Sequence, residues 1–513
     1  KLVKAWESKN AKNAAKAGGI SLMALSLAAC GGSSTTTTTT ATTATTTTTA
    51  TAVTSNFTTE IDSLTGGTGD DTFTGDTNTV SQADSVNGGT GTDTLKLYGT
   101  TGEPTHTNVE VVSLFNYGGA FDVSDDTAVT TLNLDNATTA QTFTITAGQT
   151  VSVADMANSE AIDFAGNLVV SLDATVDTLG TIAGAGVTLD TNSTAQTTLN
   201  LTGANGASHV VLANTGAALV TVNVAGDQAM TVNANTGNIA LTTFSGASAT
   251  GALTMVIDTN TNKDIAVTGG TGDDVITMAG TLAKGDTVDG GSGDDILSLS
   301  QASMTVVNAY VAADKATMNT NLSNIETIRV TDSVTASFDV ERYDSINDYD
   351  LAGGITGAIT VSNLVSGGSI TVRDAPNATT DSLVVPIKNA TVAGNNSDSL
   401  TLTLNDAAAG GAVNLGVLNA VGLETLNIAT ANTTLAGAAG TTTGYELDIA
   451  TTSTSLNTLT ITGTEGIDLD GTSLVNTIET INASGLTVAA KTEMGIKVAV
   501  AGSGTQGVVI TGT

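Results

Sequence analysis

Four short runs of glycine and aspartate carry the residue types and spacing best suited to chemistry in this 513-residue chain. They read Gly66-Gly67-Thr68-Gly69-Asp70-Asp71-Thr72-Phe73-Thr74, Gly88-Gly89-Thr90-Gly91-Thr92-Asp93-Thr94-Leu95-Lys96, GGTGDDVIT from Gly269 to Thr277, and GGSGDDILS from Gly290 to Ser298. Glycines let a backbone take crowded or left-handed turns and aim carbonyl oxygens inward. The aspartate adds a hard, charged oxygen beside them. Ca²⁺ takes six to eight such oxygens at flexible distances, so the expected chemistry is calcium binding.

All four runs fit G-G-x-G-x-D-x-U-x, where U is a large apolar residue, the repeat of calcium-binding parallel β-rolls. The second run of a pair begins 22 residues after the first in one case and 21 in the other. Agreement in both pattern and gap points to a duplicated module. The copies are isolated rather than part of a long array, so a complete site is expected to need both loops of a pair. The plain alternative is a set of solvated Gly-Asp turns.

The elements that must position these loops read as strands. Leu132-Asn133-Leu134, Phe143-Thr144-Ile145, Leu168–Leu172, Thr198–Leu201 and Val220–Val224 are apolar-rich runs, most of them alternating with polar residues. The same texture returns at Leu400–Leu404, Leu423–Ile428 and Leu456–Ile461. Only three prolines interrupt the chain, and no amphipathic helical period is sustained. Aromatic content of 3% suits thin cores of Val, Leu, Ile, Ala and Thr. The expected fold is all-β, with elongated β-solenoid or β-roll and sandwich-like modules.

Each glycine-aspartate pair is followed by an Asn-apolar-Glu phrase, Asn108-Val109-Glu110 and Asn324-Ile325-Glu326, with relatives at Leu423-Glu424-Thr425 and Ile478-Glu479-Thr480. These glutamates are either metal ligands or, the reading preferred here, solvent-facing strand residues beside a corner. The module boundary is placed near residue 260, giving segments 1–29, 30–55, 56–260 and 261–513.

The N-terminus reads as a processing signal. Lysine-rich residues 1–16 precede the apolar run Ile20–Ala29, which is too short to span a bilayer. Leu27-Ala28-Ala29-Cys30-Gly31 resembles the lipobox of bacterial lipoproteins, which implies a lipid on Cys30, the chain's single cysteine. Residues 30–55 are almost pure threonine and alanine, a stalk rather than a core. The C-terminal Val508–Thr513 reads like the lead-in to a further repeat, so a longer natural chain is expected.

The chain holds 49 acidic and 15 basic residues, a formal charge of −34. Such a surface repels nucleic acid, and it repels itself until divalent cations screen it. No Walker loop or HExxH helix occurs, and His106 and His209 lie in no metal or triad spacing. The only tryptophan, Trp6, lies in the expected signal, leaving no Trp platform for a sugar cleft. The acidic cluster Asp339, Glu341, Asp344, Asp348 and Asp350 fails as an EF-hand, because Ala352 and Ile359 occupy ligand positions counted from Asp348. No enzyme activity is expected.

The order of glycine-aspartate pair, Asn-apolar-Glu strand and long Thr/Val/Leu ladders resembles the lattice-forming part of RTX-type bacterial surface-layer proteins, the Caulobacter kind. That resemblance implies a calcium-dependent, self-assembling lattice at the bacterial cell surface. It implies ligands at Gly67, Gly69, Asp70, Asp71, Gly89, Gly91 and Asp93. In the second pair it implies Gly270, Gly272, Asp273, Asp274, Gly291, Gly293, Asp294 and Asp295. The lipobox departs from the family pattern, whose members begin with a helical domain that grips lipopolysaccharide. Tethering to the outer membrane through lipidated Cys30 is expected in its place. The competing expectations are a monomeric calcium-stabilised adhesin and a polysaccharide-degrading β-helix enzyme.

Overall fold

The computed structural model describes residues 50–511 apart from breaks, of which the longest are 155–160, 174–186, 258–263, 374–380, 391–396, 407–412, 433–444, 488–495 and 501–508. Cys30, the signal segment and the stalk up to residue 49 lie outside the described residues, as do residues 512–513.

Residues from Ala50 onward form one compact unit, a parallel β-solenoid of more than a dozen turns. Strand makes up 51% and helix 6%, so the all-β solenoid expectation holds. Alternate strands belong to two sets. One is a 13-stranded sheet running from Thr54–Asn56 to Leu322–Ser323, then a seven-stranded sheet from Phe338–Asp339 to Ile496–Val500. The other is the three-stranded sheet Ser63–Thr65, Ser85–Asn87 and Thr105–Thr107, then a ladder from Phe121–Asp122 to Val509–Thr511.

Period-two alternation makes these strands. In Thr131–Asp135, Leu132 and Leu134 are buried while Thr131 and Asn133 are partly exposed. Parallel register then stacks like on like: Val112, Leu132 and Val151 form one interior column, and Leu114, Leu134 and Val153 the next. Branched residues pack well on such a pleated surface. Truncating one of them, Leu132→Ala, costs about 2–5 kcal/mol in a core of this kind.

The spacing within each glycine-aspartate pair is one turn. Thr72 pairs with Thr94, and Val275 with Ile296. The ladder runs on past residue 260, where Leu253–Ile257 pairs with Val275–Met278.

Two helices, Gln301–Asn308 and Ala312–Asn321, depart from the expectation that no helix is sustained. They enlarge one turn, so that Ile296 pairs with Thr327 rather than with a residue about 21 positions on. Their apolar signal is sparse because they bury only Ser303, Met304, Val307 and Met318. Ser300 caps the first helix, its hydroxyl accepting from Ser303 N at 3.2 Å. No helix among the described residues is long and apolar enough to cross a membrane.

Candidate metal centre

The four loops form two stacks at different crossings of the coil. Loops 66–71 and 88–93 lead into the 13-stranded sheet, and loops 269–274 and 290–295 lead out of it. In each stack a third turn follows that lacks the nonapeptide and carries the Asn-apolar-Glu phrase instead.

A column of carboxylates runs through each stack, every one accepting a backbone N–H from the turn before. Asp71 Oδ1 accepts from Val53 N at 2.6 Å, and Asp93 Oδ1 from Asp71 N at 2.7 Å. Glu110 Oε2 then accepts from Asp93 N at 2.7 Å. The second stack repeats this. Asp274 accepts from Leu253 N at 2.7 Å, Asp295 from Asp274 N at 2.8 Å, and Glu326 from Asp295 N at 2.7 Å. Glu110 is half-buried and Glu326 exposed to solvent beside its corner, and both also serve as acceptors for the loop. Each sits just before its strand and turns one oxygen back onto the loop.

The second carboxylate oxygens differ within a pair. Asp71 Oδ2 accepts from Gly67 N, and Asp274 Oδ2 from Gly270 N at 2.6 Å. Asp93 and Asp295 are both 0% exposed, and Oδ2 of each has no hydrogen-bond partner. A buried, unpartnered carboxylate oxygen is costly unless a cation or donor meets it.

Glycine is needed because oxygens fill the space a side chain would take. A Cβ on Gly66 would fall against Gly88 O and Asp71 Oδ2, and one on Gly269 against Gly290 O and Asp274 Oδ2. In the second loops the backbone itself requires glycine, with φ of +101° and +141° at Gly89 and Gly91 and +103° and +136° at Gly291 and Gly293. The corresponding glycines of the first loops, Gly67, Gly69, Gly270 and Gly272, are not held in that region.

Asp70, Asp273 and Asp294 lie exposed on the outside of the loops, apart from the buried column. Asp70 Oδ1 accepts from Thr92 N at 2.8 Å and Asp273 Oδ1 from Asp294 N at 3.0 Å, which ties neighbouring turns together.

Burial, followed by the negative charges of Asp274, Glu326 and Asp273, raises the Asp295 carboxyl to about 6. Burial and then Glu110, Asp71 and Asp70 raise Asp93, and burial with Asp273 raises Asp274. No lysine or arginine among the described residues pairs with either column. The donor set fits a hard cation: carboxylate and carbonyl oxygens, two of them buried and unmatched. No three His, Cys, Asp or Glu side chains among the described residues form a group that could hold a metal ion, so a cation held here would need backbone carbonyls for most of its oxygens.

Sequence reasoning missed a second set of buried aspartates, Asp84 and Asp286. Asp84 accepts from Asp62 N at 2.9 Å and Ser81 N at 2.7 Å, and Asp286 from Ile265 N at 3.0 Å and Ala283 N at 2.7 Å. The signal was present as Asp84-Ser85-Val86-Asn87 and Asp286-Thr287-Val288-Asp289, each directly before a nonapeptide. Both oxygens of each are satisfied, so these residues brace corners.

In the remaining acidic cluster Asp339, Glu341 and Asp350 meet basic partners, while Asp348 Oδ1 accepts from Ser369 Oγ at 2.6 Å. Asp350 lies between Arg329 and Arg373, while Asp339 and Glu341 face Lys315. Asp344 is outside the described residues. His106 is buried against Phe121 with Nδ1 3.3 Å from Pro104 O, and His209 is buried in Ser208–Ala213. No protein-family model matches the chain, and no curated protein matches its sequence.

Proposed function

We propose that the chain is a non-catalytic, calcium-dependent structural protein of the bacterial cell surface. It assembles with copies of itself into a surface-layer-like lattice and is held to the outer membrane through a lipid on Cys30. The observation that carries this reading is the duplicated column of carboxylates, its aspartates buried, stacked turn on turn with no lysine or arginine among the described residues paired to it. The mutual repulsion of such a column weighs against the folded state, and a bound cation would relieve it.

The distribution of charge supports self-association. Part of the strand surface turns uncharged residues outward in register, as where Thr425, Thr458 and Thr480 align beside Asn427, Thr460 and Asn482. Carboxylates gather at the turns. Low calcium inside the cell would leave the stacks loose; external calcium would clamp the loops, screen a net charge of −34 and let neutral faces meet.

Electron microscopy of the purified chain in millimolar calcium and in chelator tests this. Ordered sheets in calcium alone are expected. Separate particles in both conditions would sink the lattice and favour a monomeric adhesin. Turnover of acidic polysaccharides that one carboxylate substitution abolishes would establish an enzyme instead. For the tether, mass spectrometry of membrane-extracted protein should find acylated Cys30 as the first residue.

A further inference from the structure

The unmatched oxygens of the two stacks lie beyond the nonapeptide pairs. Asp71 and Asp274 spend both carboxylate oxygens on backbone N–H groups. Asp93 and Asp295 spend only Oδ1, on the turn before, and leave Oδ2 buried and unpartnered. What faces those two atoms is the third turn. A Cβ built on Gly88 would touch Asn108 O and lie 2.6 Å from Asp93 Oδ2. One built on Gly290 would touch Asn324 O and lie 2.5 Å from Asp295 Oδ2. In both stacks, then, a carbonyl of the third turn and the free carboxylate oxygen of the second converge on the space over a glycine.

Two further features of the third turn repeat. Asn108 and Asn324 take left-handed backbone, with φ of +53° and +51°, and this conformation sets where their carbonyls aim. Glu110 and Glu326 bond back to Asp93 N and Asp295 N, which brings a second negative charge beside each free oxygen.

We propose that each stack holds a calcium site between its second and third turns. Asp93 Oδ2 and Asn108 O face the ion in the first stack, with Glu110 supplying charge, and Asp295 Oδ2, Asn324 O and Glu326 do so in the second. This rests on the calcium reading of the loops but assigns the ion differently. The Asn-apolar-Glu phrase, which is no glycine-aspartate repeat, becomes the closing half of the site. All donors are oxygens, two of the side chains are carboxylates, and a glycine without a side chain lets the two oxygens draw together, which suits Ca²⁺ better than the smaller, strictly octahedral Mg²⁺.

Titration calorimetry of the full chain with calcium chloride, after chelator treatment, tests the assignment. Glu110→Gln with Glu326→Gln should weaken calcium binding by roughly tenfold to a hundredfold. Asn108→Val with Asn324→Val, which disfavours left-handed backbone and displaces the carbonyls, should do the same. Asn108→Gly with Asn324→Gly, which keeps that backbone, should bind as the parent does. Melting with and without calcium separates ligand loss from misfolding: the Gln pair should melt like the parent in chelator and lose only the rise that calcium gives. If the parent binds calcium and both the Gln and Val pairs bind equally well, while Asp71→Asn with Asp274→Asn abolishes uptake, the ion lies between the first and second turns. That result overturns this inference and leaves the calcium reading standing. A parent chain that takes up no calcium removes both.

Discussion

Asp93 Oδ1 accepts the backbone N–H of Asp71 one turn earlier at 2.7 Å, and Asp295 does the same for Asp274 at 2.8 Å. A ligand-type residue thus also closes the backbone of the neighbouring loop, so two of its roles can be separated by substitution. Asp93→Ala with Asp295→Ala removes the acceptor and leaves a buried N–H unpaired in each stack. The lost acceptor should cost about 1–3 kcal/mol per site in chelator, and the loss should be larger in calcium, where the ligand oxygen goes too. Asp93→Asn with Asp295→Asn keeps an acceptor and removes the repelled charge. At pH 7 this pair should be at least as stable as the parent in chelator and less stable in calcium. Urea unfolding under both conditions reads the difference, and a parallel loss by the Asn pair in both would contradict the cation role.

The raised carboxyl of Asp295 gives a pH dependence whose sign follows from linkage. Its pKa is about 6 in the folded chain against an ordinary value of 3.8. Below about 4 both states keep the proton, and above about 6 neither does. Between those limits the folded state holds more protons, so metal-free stability should fall as pH rises from 4 to 6. Asp93 and Asp274, shifted in the same direction, reinforce the fall. Calcium, by favouring the charged form, should flatten it. Melting temperatures across that window, in chelator and in calcium, check both slopes.

Two glycines separate conformational cost from steric cost. Gly99 has φ +60° and open space where a Cβ would lie, whereas Gly291 has φ +103° and Gly270 O in that space. Gly99→Ala should cost about 1–2 kcal/mol for left-handed backbone alone. Gly291→Ala should exceed it by a further 1–3 kcal/mol, roughly the cost of overpacking, because one loop is pushed off the next. Equal losses in denaturant unfolding would mean that the loops are not in close contact.

Much of this architecture was legible because local period and turn length are written in the residues. Thr131–Asp135 shows its burial in its alternation, and a 22-residue gap between nonapeptides is the register Thr72 to Thr94. The helices were not legible, because an insert resting on Met304, Val307 and Met318 shows too few apolar positions to mark a face. Nor could spacing reveal that Glu110 reaches Asp93 N. Those residues are 17 apart, and only the stacking of a shortened third turn brings them together. The loop aspartates all looked alike in sequence. Burial then divides them, placing Asp71, Asp93, Asp274 and Asp295 inside and Asp70, Asp273 and Asp294 outside.

Asp350 offers a test away from the loops. Its side chain is 6% exposed and lies between Arg329 Nε at 2.9 Å and Arg373 Nε at 2.7 Å, whose side chains are 29% and 37% exposed. The three residues belong to adjacent strands, so one carboxylate neutralises two guanidinium groups across the ladder. Removing one partner of a fully buried pair costs about 3–5 kcal/mol, but water reaches these arginines and lowers the figure. Asp350→Ala should therefore lose roughly 2–3 kcal/mol, because two like charges are left facing each other. Arg329→Ala or Arg373→Ala should lose less, about 1 kcal/mol, since Asp350 keeps the other arginine. High salt should shrink the Asp350→Ala loss by screening the exposed guanidiniums. A loss unchanged in molar salt would show that packing, not charge, makes the Asp350 contact matter.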